Sequence, residues 1–226
     1  MKFSYKKLAM GVLASVMLAG AASAGELLVY SSTDADNLKY YMDNFQKDNP
    51  DIKVKVVRES TGTMAAKMMA EKDNPQADVL FEMAATVALN METQGMFHPY
   101  TPKGMDKIDQ RYVDKEGEVN WVGNYGWAGC ICWNTIEAKK LGLPKPKSWA
   151  DLTNPVYKGL ISMPNPNSSG TGFLDVSSWI QVMGEDDAWK YMDALHKNVG
   201  VYTHSGSKPC KQSGSGEFPI GISWPG

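Results

Sequence analysis

Apolar and polar positions follow one another along the chain in blocks that predict repeated strands and helices. Glu26–Tyr30 (ELLVY) is a short apolar run, and positions 38, 41, 42 and 45 keep the spacing of one buried helix face. Ile52–Val57 alternates as a half-buried strand does, and a helical stretch rich in Met and Ala follows. A third strand at Ala77–Phe81 leads into a helix from about residue 84 to Gly95. This repetition of strand, polar turn and helix predicts a parallel α/β sheet.

The second half of the chain predicts another α/β unit. Residues 120–133 (NWVGNYGWAGCICW) are rich in glycine and aromatics and carry no charge, so we interpret 123–133 as a strand that crosses between two lobes. The pattern after it predicts a short helix from 148, a strand at 160–163, helices through 179 and over 188–195, and a strand at 218–224. The predicted division is therefore a first lobe at 25–122, the crossing strand, and a second lobe at 134–226.

The first 24 residues have the features of a cleaved secretory signal. Lys2, Lys6 and Lys7 precede an apolar run at 8–21, and Ala22–Ala24 (ASA) supplies the small residues that a signal peptidase requires. A membrane anchor is disfavoured because a span needs about 20 apolar residues and the run at 8–21 is shorter. No lipobox cysteine stands at the junction, which disfavours a lipid anchor as well. We therefore expect a mature protein that begins at Gly25 and is located in the periplasm.

Composition and charge exclude several classes of protein. The 226 residues are 43% hydrophobic and 21% charged, which is typical of a folded globular chain. The net charge of −2 becomes −5 when the signal, with its three lysines and no acidic residue, is removed. A negative chain lacks the broad basic surface that nucleic acid requires, so no nucleic-acid partner is expected.

The three cysteines are compatible with export but predict no zinc site, since no Cys-x-x-Cys is present and histidines are few. Cys130 and Cys132 lie two apart, and a bridge between them on a strand would need a distorted backbone. Either of them can pair with Cys210, which leaves one odd thiol.

Clusters of Ser, Thr and Gly recur where a predicted strand ends and a helix begins. The four clusters are 31–33 (SST), 60–63 (STGT), 168–171 (SSGT) and 205–207 (SGS). The carboxyl ends of parallel strands lie at the edge of the sheet where ligands collect. Helix N-termini and hydroxyls together can bind an anion such as a phosphate or phosphonate. Each cluster is also explained by helix capping, but four at corresponding positions favour a binding cleft.

Other candidate residues add a possible cation subsite and little catalytic chemistry. Asp34 and Glu82 each follow a strand, where a carboxylate can pair with a ligand amine or stand at a helix start. Tyr125 and Trp127 on the crossing strand can face a ligand. His204 beside Ser205 is a candidate dyad, although neighbouring residues seldom have that geometry. No nucleophile elbow, Walker loop or His-x-x-x-His pair is present.

These motifs resemble a known family. The ordered segments VYSSTDAD, ESTGT, ADVLFEMAAT, SWADLTNPVYKG, MPNPNSSGTGF and HSGSKPCKQ are similar to those of the periplasmic substrate-binding proteins of ABC importers. Within the class typified by ferric-iron binders, the chain looks most like the branch that binds 2-aminoethylphosphonate. The resemblance covers essentially the whole mature chain. It implies a two-lobe α/β fold of the type II periplasmic binding class, with a ligand cleft between the lobes.

The resemblance also implies which residues bind ligand and which ligands are expected. The implied positions are Ser32, Thr33, Asp34, Thr61, Gly62 and Glu82 from the first lobe, and Ser168, Ser169, Gly170, Thr171, Ser205 and Ser223 from the second. An iron binder would have a histidine near Asp34, a carboxylate near Met83 and a tyrosine pair after Ser223, so iron is disfavoured. The return segment that completes the first lobe in this family is absent, so we expect a truncated chain with an incomplete first lobe.

The leading hypothesis is a monomeric extracytoplasmic protein that delivers 2-aminoethylphosphonate, or a related phosphonate, to an ABC permease in the inner membrane. It implies no enzymatic activity, metal or cofactor. The alternatives within this class are a ferric-iron protein and a binder of other small anions or of polyamines. An exported serine hydrolase that uses Ser205 and His204 is the rival from another class.

Overall fold

The computed structural model describes residues 25–115 and 119–224, so the predicted signal segment at 1–24 lies outside the described residues. The strands are β1 (Gly25–Ser31), β2 (Ile52–Arg58), β3 (Val79–Phe81), β4 (Cys130–Trp133), β5 (Ile161–Pro164), β6 (Val199–Thr203) and β7 (Ile220–Ser223). The helices are α1 (Ala35–Asp48), α2 (Thr61–Ala70), α3 (Ala85–Thr93), α4 (Thr135–Lys140), α5 (Gly170–Met183), α6 (Glu185–His196) and α7 (Lys208–Ser215). Within the described ranges, no helix has the length and apolar character that crossing a membrane requires.

The first sheet is parallel and has the strand order β2-β1-β3. Val29 and Tyr30 of β1 are buried in the centre, and Met64 of α2 packs beneath them out of contact with solvent. Of the predicted buried face of α1 only Leu38 is buried, whereas Tyr41 and Phe45 are 40% and 37% exposed. A sheet of three strands offers a narrow face, and α1 lies toward its β2 side.

The second sheet is mixed and has the order β4-β7-β5-β6. Strand β7 is parallel to β5 and antiparallel to β4. The larger of the two cores lies here, with Ile161, Ile220 and Ile222 completely buried. Trp179 of α5 joins this core through edge-to-face ring contacts with two neighbouring aromatics, and both contacts have centroids less than 6 Å apart. Such aromatic packing fixes α5, and hence the position of its first turn.

The predicted crossing strand at 123–133 is regular only at Cys130–Trp133, where it pairs with β7. The preceding residues run between the two sheets without regular pairing, apart from a single antiparallel bridge between Val113 and Val122. Glycine is frequent in this part of the segment, and it disfavours a regular strand. Gly129 has a specific packing reason, because any side chain there would collide with the carboxylate of Asp175.

Candidate functional site

A cleft of about 1210 Å³ lies between the two sheets, at the carboxyl ends of their parallel strands. Nine of the twelve predicted binding residues line it: Ser32, Thr33, Asp34, Thr61, Glu82, Ser169, Gly170, Thr171 and Ser205. The strand-end clusters therefore meet at one edge and form part of the cleft wall, to which residues within 75–80 and 96–102 also contribute. Gly62, Ser168 and Ser223 do not line the cleft and have other contacts.

The wall on the side of the first sheet is a connected set of hydroxyls around Glu82. The Ser32 hydroxyl donates to the Glu82 carbonyl at 3.0 Å, and the Thr61 hydroxyl donates to Ser32 at 3.2 Å. The Glu82 carboxylate accepts hydrogen bonds from the Thr33 hydroxyl and the Asn124 amide. Glu82 has a φ of 54°, a left-handed conformation that is rare outside glycine. Such strain is common at functional sites.

The wall on the side of the second sheet is the first turn of α5, with the segment before α7 packed against it. Thr171 is buried, and the Cα of Gly206 lies so close that a side chain at 206 would strike the Thr171 hydroxyl. The Ser223 hydroxyl donates to the Gly206 carbonyl at 2.5 Å and thereby positions the segment from below. The unpaired N–H groups of the α5 N-terminus and the helix dipole make this wall suitable for an anion.

Helix capping accounts for only one of the four hydroxyl clusters. The Ser169 side chain accepts a hydrogen bond from the Gly172 N–H of α5, as an N-cap residue does. The N-cap residues of α1, α2 and α7 are Asp34, Ser60 and Ser207, and none of their side chains caps its own helix. Thr33, which precedes the N-cap of α1, donates its hydroxyl to the Glu82 carboxylate. The other clusters therefore present side chains to the cleft and across it.

Asp34 joins the two sides of the cleft. Its carboxylate accepts from the Ser207 hydroxyl at 2.9 Å and from the Lys211 ammonium at 3.2 Å, both on or beside α7. Arg58, the last residue of β2, lies 3.6 Å away on the same side as Asp34. Arg58 also donates from Nε to the Thr33 carbonyl at 2.8 Å. Asp34 is thus already surrounded by cationic partners, whereas Glu82 has only neutral donors among the contacts described.

Gly62 and Ser168 form a backbone contact across the cleft mouth. The Gly62 N–H donates to the Ser168 carbonyl at 3.0 Å. A side chain at 62 would collide with the Asn167 carbonyl, so this close approach requires glycine. The Ser168 hydroxyl donates to the His204 carbonyl at 3.1 Å, which fixes the loop before α5. These two predicted residues therefore hold the two sides together, and neither forms the wall of the cleft.

The segment before β4 contributes aromatic side chains to the cleft, as predicted for Tyr125 and Trp127. Partial burial raises the pKa of the Tyr125 phenol; a hydrogen bond with Thr33 opposes this effect, and the negative charge of Glu82 adds to it. Sequence reasoning missed Arg58, although it ends β2 and so lies at the edge where the clusters meet. It also missed Asn124, for which the sequence gives no signal.

The geometry does not assemble a serine hydrolase site. Within the described residues, no hydrogen bond joins His204 to Ser205. The His204 ring instead lies 4.0 Å from the Glu59 carboxylate on the other side of the cleft and is well exposed. The Ser205 carbonyl accepts from the Thr203 hydroxyl at 2.8 Å, a bond that shapes the turn.

The structure shows which cysteines pair, a question that the sequence left open. Cys132 of β4 is bridged to Cys210 of α7, with 5.4 Å between their Cα atoms. Cys130 carries a free thiol. Among the described His, Cys, Asp and Glu residues, these three cysteines form the one group close enough to surround a metal ion. Because two of the sulfurs are joined in a disulfide, the group is not a ligand set in this state.

One buried acid lies inside the second lobe, behind the cleft wall. Asp175 of α5 is 2% exposed, and its Oδ2 has no hydrogen-bond partner among the described residues. Burial raises the pKa of this carboxyl to about 8. Burial and the negative charge of Asp175 both raise the pKa of the Cys130 thiol. At neutral pH the Asp175 carboxyl is therefore mostly protonated.

Comparison with known proteins identifies a family and a fold. Residues 31–226 match the model of the bacterial extracellular solute-binding protein family. An uncharacterized protein of Haemophilus influenzae is 32% identical over 98% of this chain and 66% of its own length. A probable ABC transporter periplasmic-binding protein of Sinorhizobium fredii is 25% identical over 94% of this chain and 60% of its own. The chain thus spans just under two thirds of these relatives.

Solved structures have the same two-lobe α/β fold of the type II periplasmic binding class. The periplasmic binding protein AfuA of Actinobacillus pleuropneumoniae, with exogenous fructose-6-phosphate bound, has a TM-score of 0.83 and 33% identity over 88% of this chain and 63% of its own. The periplasmic binding protein P5PA has a TM-score of 0.78, with 27% identity over 88% of this chain and 64% of its own. Iron-bound HitA of Pseudomonas aeruginosa has a TM-score of 0.73 and 22% identity over 89% of this chain and 63% of its own, a likeness of fold alone.

Proposed function

Because this chain belongs to the bacterial extracellular solute-binding protein family, we propose that it captures a small organic solute with a phosphoryl group and delivers it to an ABC permease. The phosphoryl group would be either a phosphate ester or a phosphonate. The protein would act in the periplasm, after cleavage of the predicted signal at 1–24. It would bind its solute without changing it chemically.

The observation that carries this proposal is the first turn of α5. This turn includes Thr171 and faces the cleft beside the 205–207 segment. Unpaired N–H groups at a helix N-terminus bind a phosphoryl group well, since several donors converge on three oxygens and the helix dipole favours negative charge. Thr61 lies so close to Gly170 across the cleft that a side chain at 170 would strike its hydroxyl, so the first lobe brings a hydroxyl to the edge of this site.

The rest of the cleft suits an organic group attached to the phosphoryl end. Tyr125 and Trp127 offer aromatic surface, and Glu82 and Asn124 offer polar groups that can bind hydroxyls or an amine. The neighbour with fructose-6-phosphate bound supports a phosphate ester as one candidate.

A specific second candidate is 2-aminoethylphosphonate, which the sequence resemblance favours. Its ammonium would require a carboxylate that is free of cationic partners. Glu82 fits this requirement better than Asp34, because the Asp34 carboxylate already bonds Lys211 and lies near Arg58. We therefore propose Glu82 as the residue that recognises the organic end of either ligand.

Isothermal titration with fructose 6-phosphate, 2-aminoethylphosphonate, ethylphosphonate, inorganic phosphate and ferric citrate tests the proposal. We expect one of the phosphoryl compounds to bind, and we expect Thr171→Val to weaken its binding about tenfold or more. A hydrogen bond to a charged group contributes roughly 1.5–3 kcal/mol, and the substitution keeps the shape of the side chain.

The matched control is Ser178→Ala, which removes a hydroxyl from the same helix at a position outside the cleft lining. It should leave the dissociation constant unchanged. Binding of ferric citrate with no binding of any phosphoryl compound would refute the proposal. Equal dissociation constants for wild type and Thr171→Val would reject the α5 N-terminus as the anion site.

A further inference from the structure

Three sulfur atoms lie together between β4 and α7. The Sγ atoms of Cys130, Cys132 and Cys210 are all within 4.8 Å of one another, and the free Cys130 thiol is 4.0 Å from Cys132 Sγ. Two of these sulfurs form the disulfide, and all three residues are partly buried. A free thiol beside a disulfide is the arrangement in which intramolecular exchange takes place.

We propose that Cys130 exchanges with the Cys132–Cys210 disulfide, so that Cys210 pairs with Cys132 in one form of the protein and with Cys130 in another. The Cys130 thiolate attacks Cys210 Sγ, the bond between Cys130 and Cys210 forms, and the bond between Cys132 and Cys210 breaks. Its electron pair leaves on Cys132, which takes up the proton that Cys130 released. No oxidant or reductant is consumed, because one disulfide and one thiol are present before and after.

The register of β4 makes both pairings accessible. Cys130 and Cys132 are two residues apart on a strand, so their side chains lie on the same face. Cys132 is opposite Gly221, and a side chain at 221 would collide with the Pro209 carbonyl, which shows how closely the first turn of α7 lies over β7. The change of pairing would shift the sulfur that Cys210 bonds by about 4.0 Å, the distance between Cys130 Sγ and Cys132 Sγ. A bridge between Cys130 and Cys132 is not part of the proposal, because strand geometry opposes it.

The exchange would move the attachment of α7 toward the cleft. Cys130 is opposite Ser223, whose hydroxyl holds the Gly206 carbonyl beside Thr171. The same helix follows Ser207, which bonds Asp34 across the cleft. A disulfide to Cys130 therefore draws α7 toward the end of β7 that supports the binding segment. The proposal stands on the sulfur geometry alone and holds whichever solute the cleft binds.

The surroundings of Cys130 affect the rate of the exchange. Burial raises the pKa of its thiol, so little thiolate is present at neutral pH, and the charge of Asp175 raises that pKa further once the carboxyl ionises. Exchange requires the thiolate, so we expect slow interconversion near pH 7 and faster interconversion as the pH rises.

Disulfide mapping of Cys132→Ser tests whether the second pairing is accessible. The variant is exported to an oxidising compartment, quenched in acid, alkylated, digested and analysed by mass spectrometry. We expect nearly all molecules to contain a Cys130–Cys210 disulfide. The matched control, Cys130→Ser, should contain only the Cys132–Cys210 disulfide. Alkylation of both Cys130 and Cys210 in folded Cys132→Ser, or disulfide-linked dimers of it, would overturn the proposal.

The wild-type protein supplies a second measurement that does not depend on how a variant folds. After incubation at pH 9 without reductant, acid quenching and alkylation should label Cys132 in part of the molecules and Cys130 in the remainder. The labelled fraction of Cys132 should approach its final value faster at pH 9 than at pH 7. Labelling of Cys130 alone, unchanged with time at pH 9, would overturn the proposal.

Discussion

The buried carboxyl of Asp175 predicts an unusual dependence of stability on pH. Its pKa rises from 3.8 to about 8 in the folded protein because of burial. Below pH 3.8 the carboxyl is protonated in both the folded and unfolded states, so it costs no stability. Above that pH the unfolded chain releases the proton and the folded chain retains it, so stability is lost as the pH rises toward 8. The full shift corresponds to roughly 6 kcal/mol, of which about 4 kcal/mol falls between pH 5 and 8.5.

Asp175→Asn removes the titration while keeping the size of the side chain. We expect its free energy of unfolding in urea, followed by tryptophan fluorescence, to change with pH between 5 and 8.5 much less than that of wild type. The variant should be the more stable protein at pH 8.5. A folded domain is typically stable by 5–15 kcal/mol, so a difference of about 4 kcal/mol is readily measured.

The matched control is Asp187→Asn, at an exposed acid whose pKa is lowered by a hydrogen bond from Lys190. A lowered pKa contributes stability that is lost only on acidification, so this variant should keep the wild-type slope between pH 5 and 8.5. Parallel pH profiles for wild type and Asp175→Asn would refute the reasoning. They would mean that the folded protein stabilises the Asp175 charge.

Three further predictions concern the cleft. Gly62→Ala places a methyl group against the opposing loop carbonyl and should weaken solute binding at least about tenfold in calorimetry. The control Gly214→Ala, whose methyl group meets open space, should leave binding unchanged. Equal affinities of wild type and Gly62→Ala would contradict the contact. Asp34→Asn should lower the free energy of unfolding in urea by about 1 kcal/mol, and Asp43→Asn, at an exposed pair with no other partner described, by much less. Glu82→Gly should be more stable to urea than Glu82→Ala by about 1 kcal/mol. Both variants lose the carboxylate, but only glycine accepts a positive φ at no cost. Equal stabilities of the two variants would argue against backbone strain at this position.

The sequence predicts the α/β order of the chain and the strand-end part of the cleft wall for one physical reason. Parallel strands end at a common edge, so the residues after β1, β5 and β6 meet there whatever the details of packing. Helix α1 shows that periodicity alone does not predict how much of a helix face is buried. Its pattern predicts a whole buried face, and only Leu38 is buried. How much of a helix is covered depends on the width of the sheet beside it, which local spacing does not encode.

The pairings across the cleft could not be predicted, because they join residues far apart in the chain. Asp34 and Ser207 are separated by 173 positions, and their contact depends on how the two lobes approach one another. The choice of Cys132 as the partner of Cys210 depends on where α7 lies over β7, which is a matter of tertiary register. Ser223 illustrates the same limit, since the family resemblance implies ligand contact there and its hydroxyl supports Gly206.

The strand order of the second sheet has a consequence for the folding of this protein. β7 follows β4, β5 and β6 in sequence but lies between β4 and β5, and the Cys132–Cys210 disulfide closes a loop of 78 residues around the same region. Neither β4 nor β5 has its sheet partner β7 until residues 220–223 are available, so the nascent second lobe cannot complete its sheet early. Such non-local pairing slows folding. The disulfide and the pairing of β4 with β7 both join β4 to the last part of the second lobe, so we expect them to form in the same late step of folding.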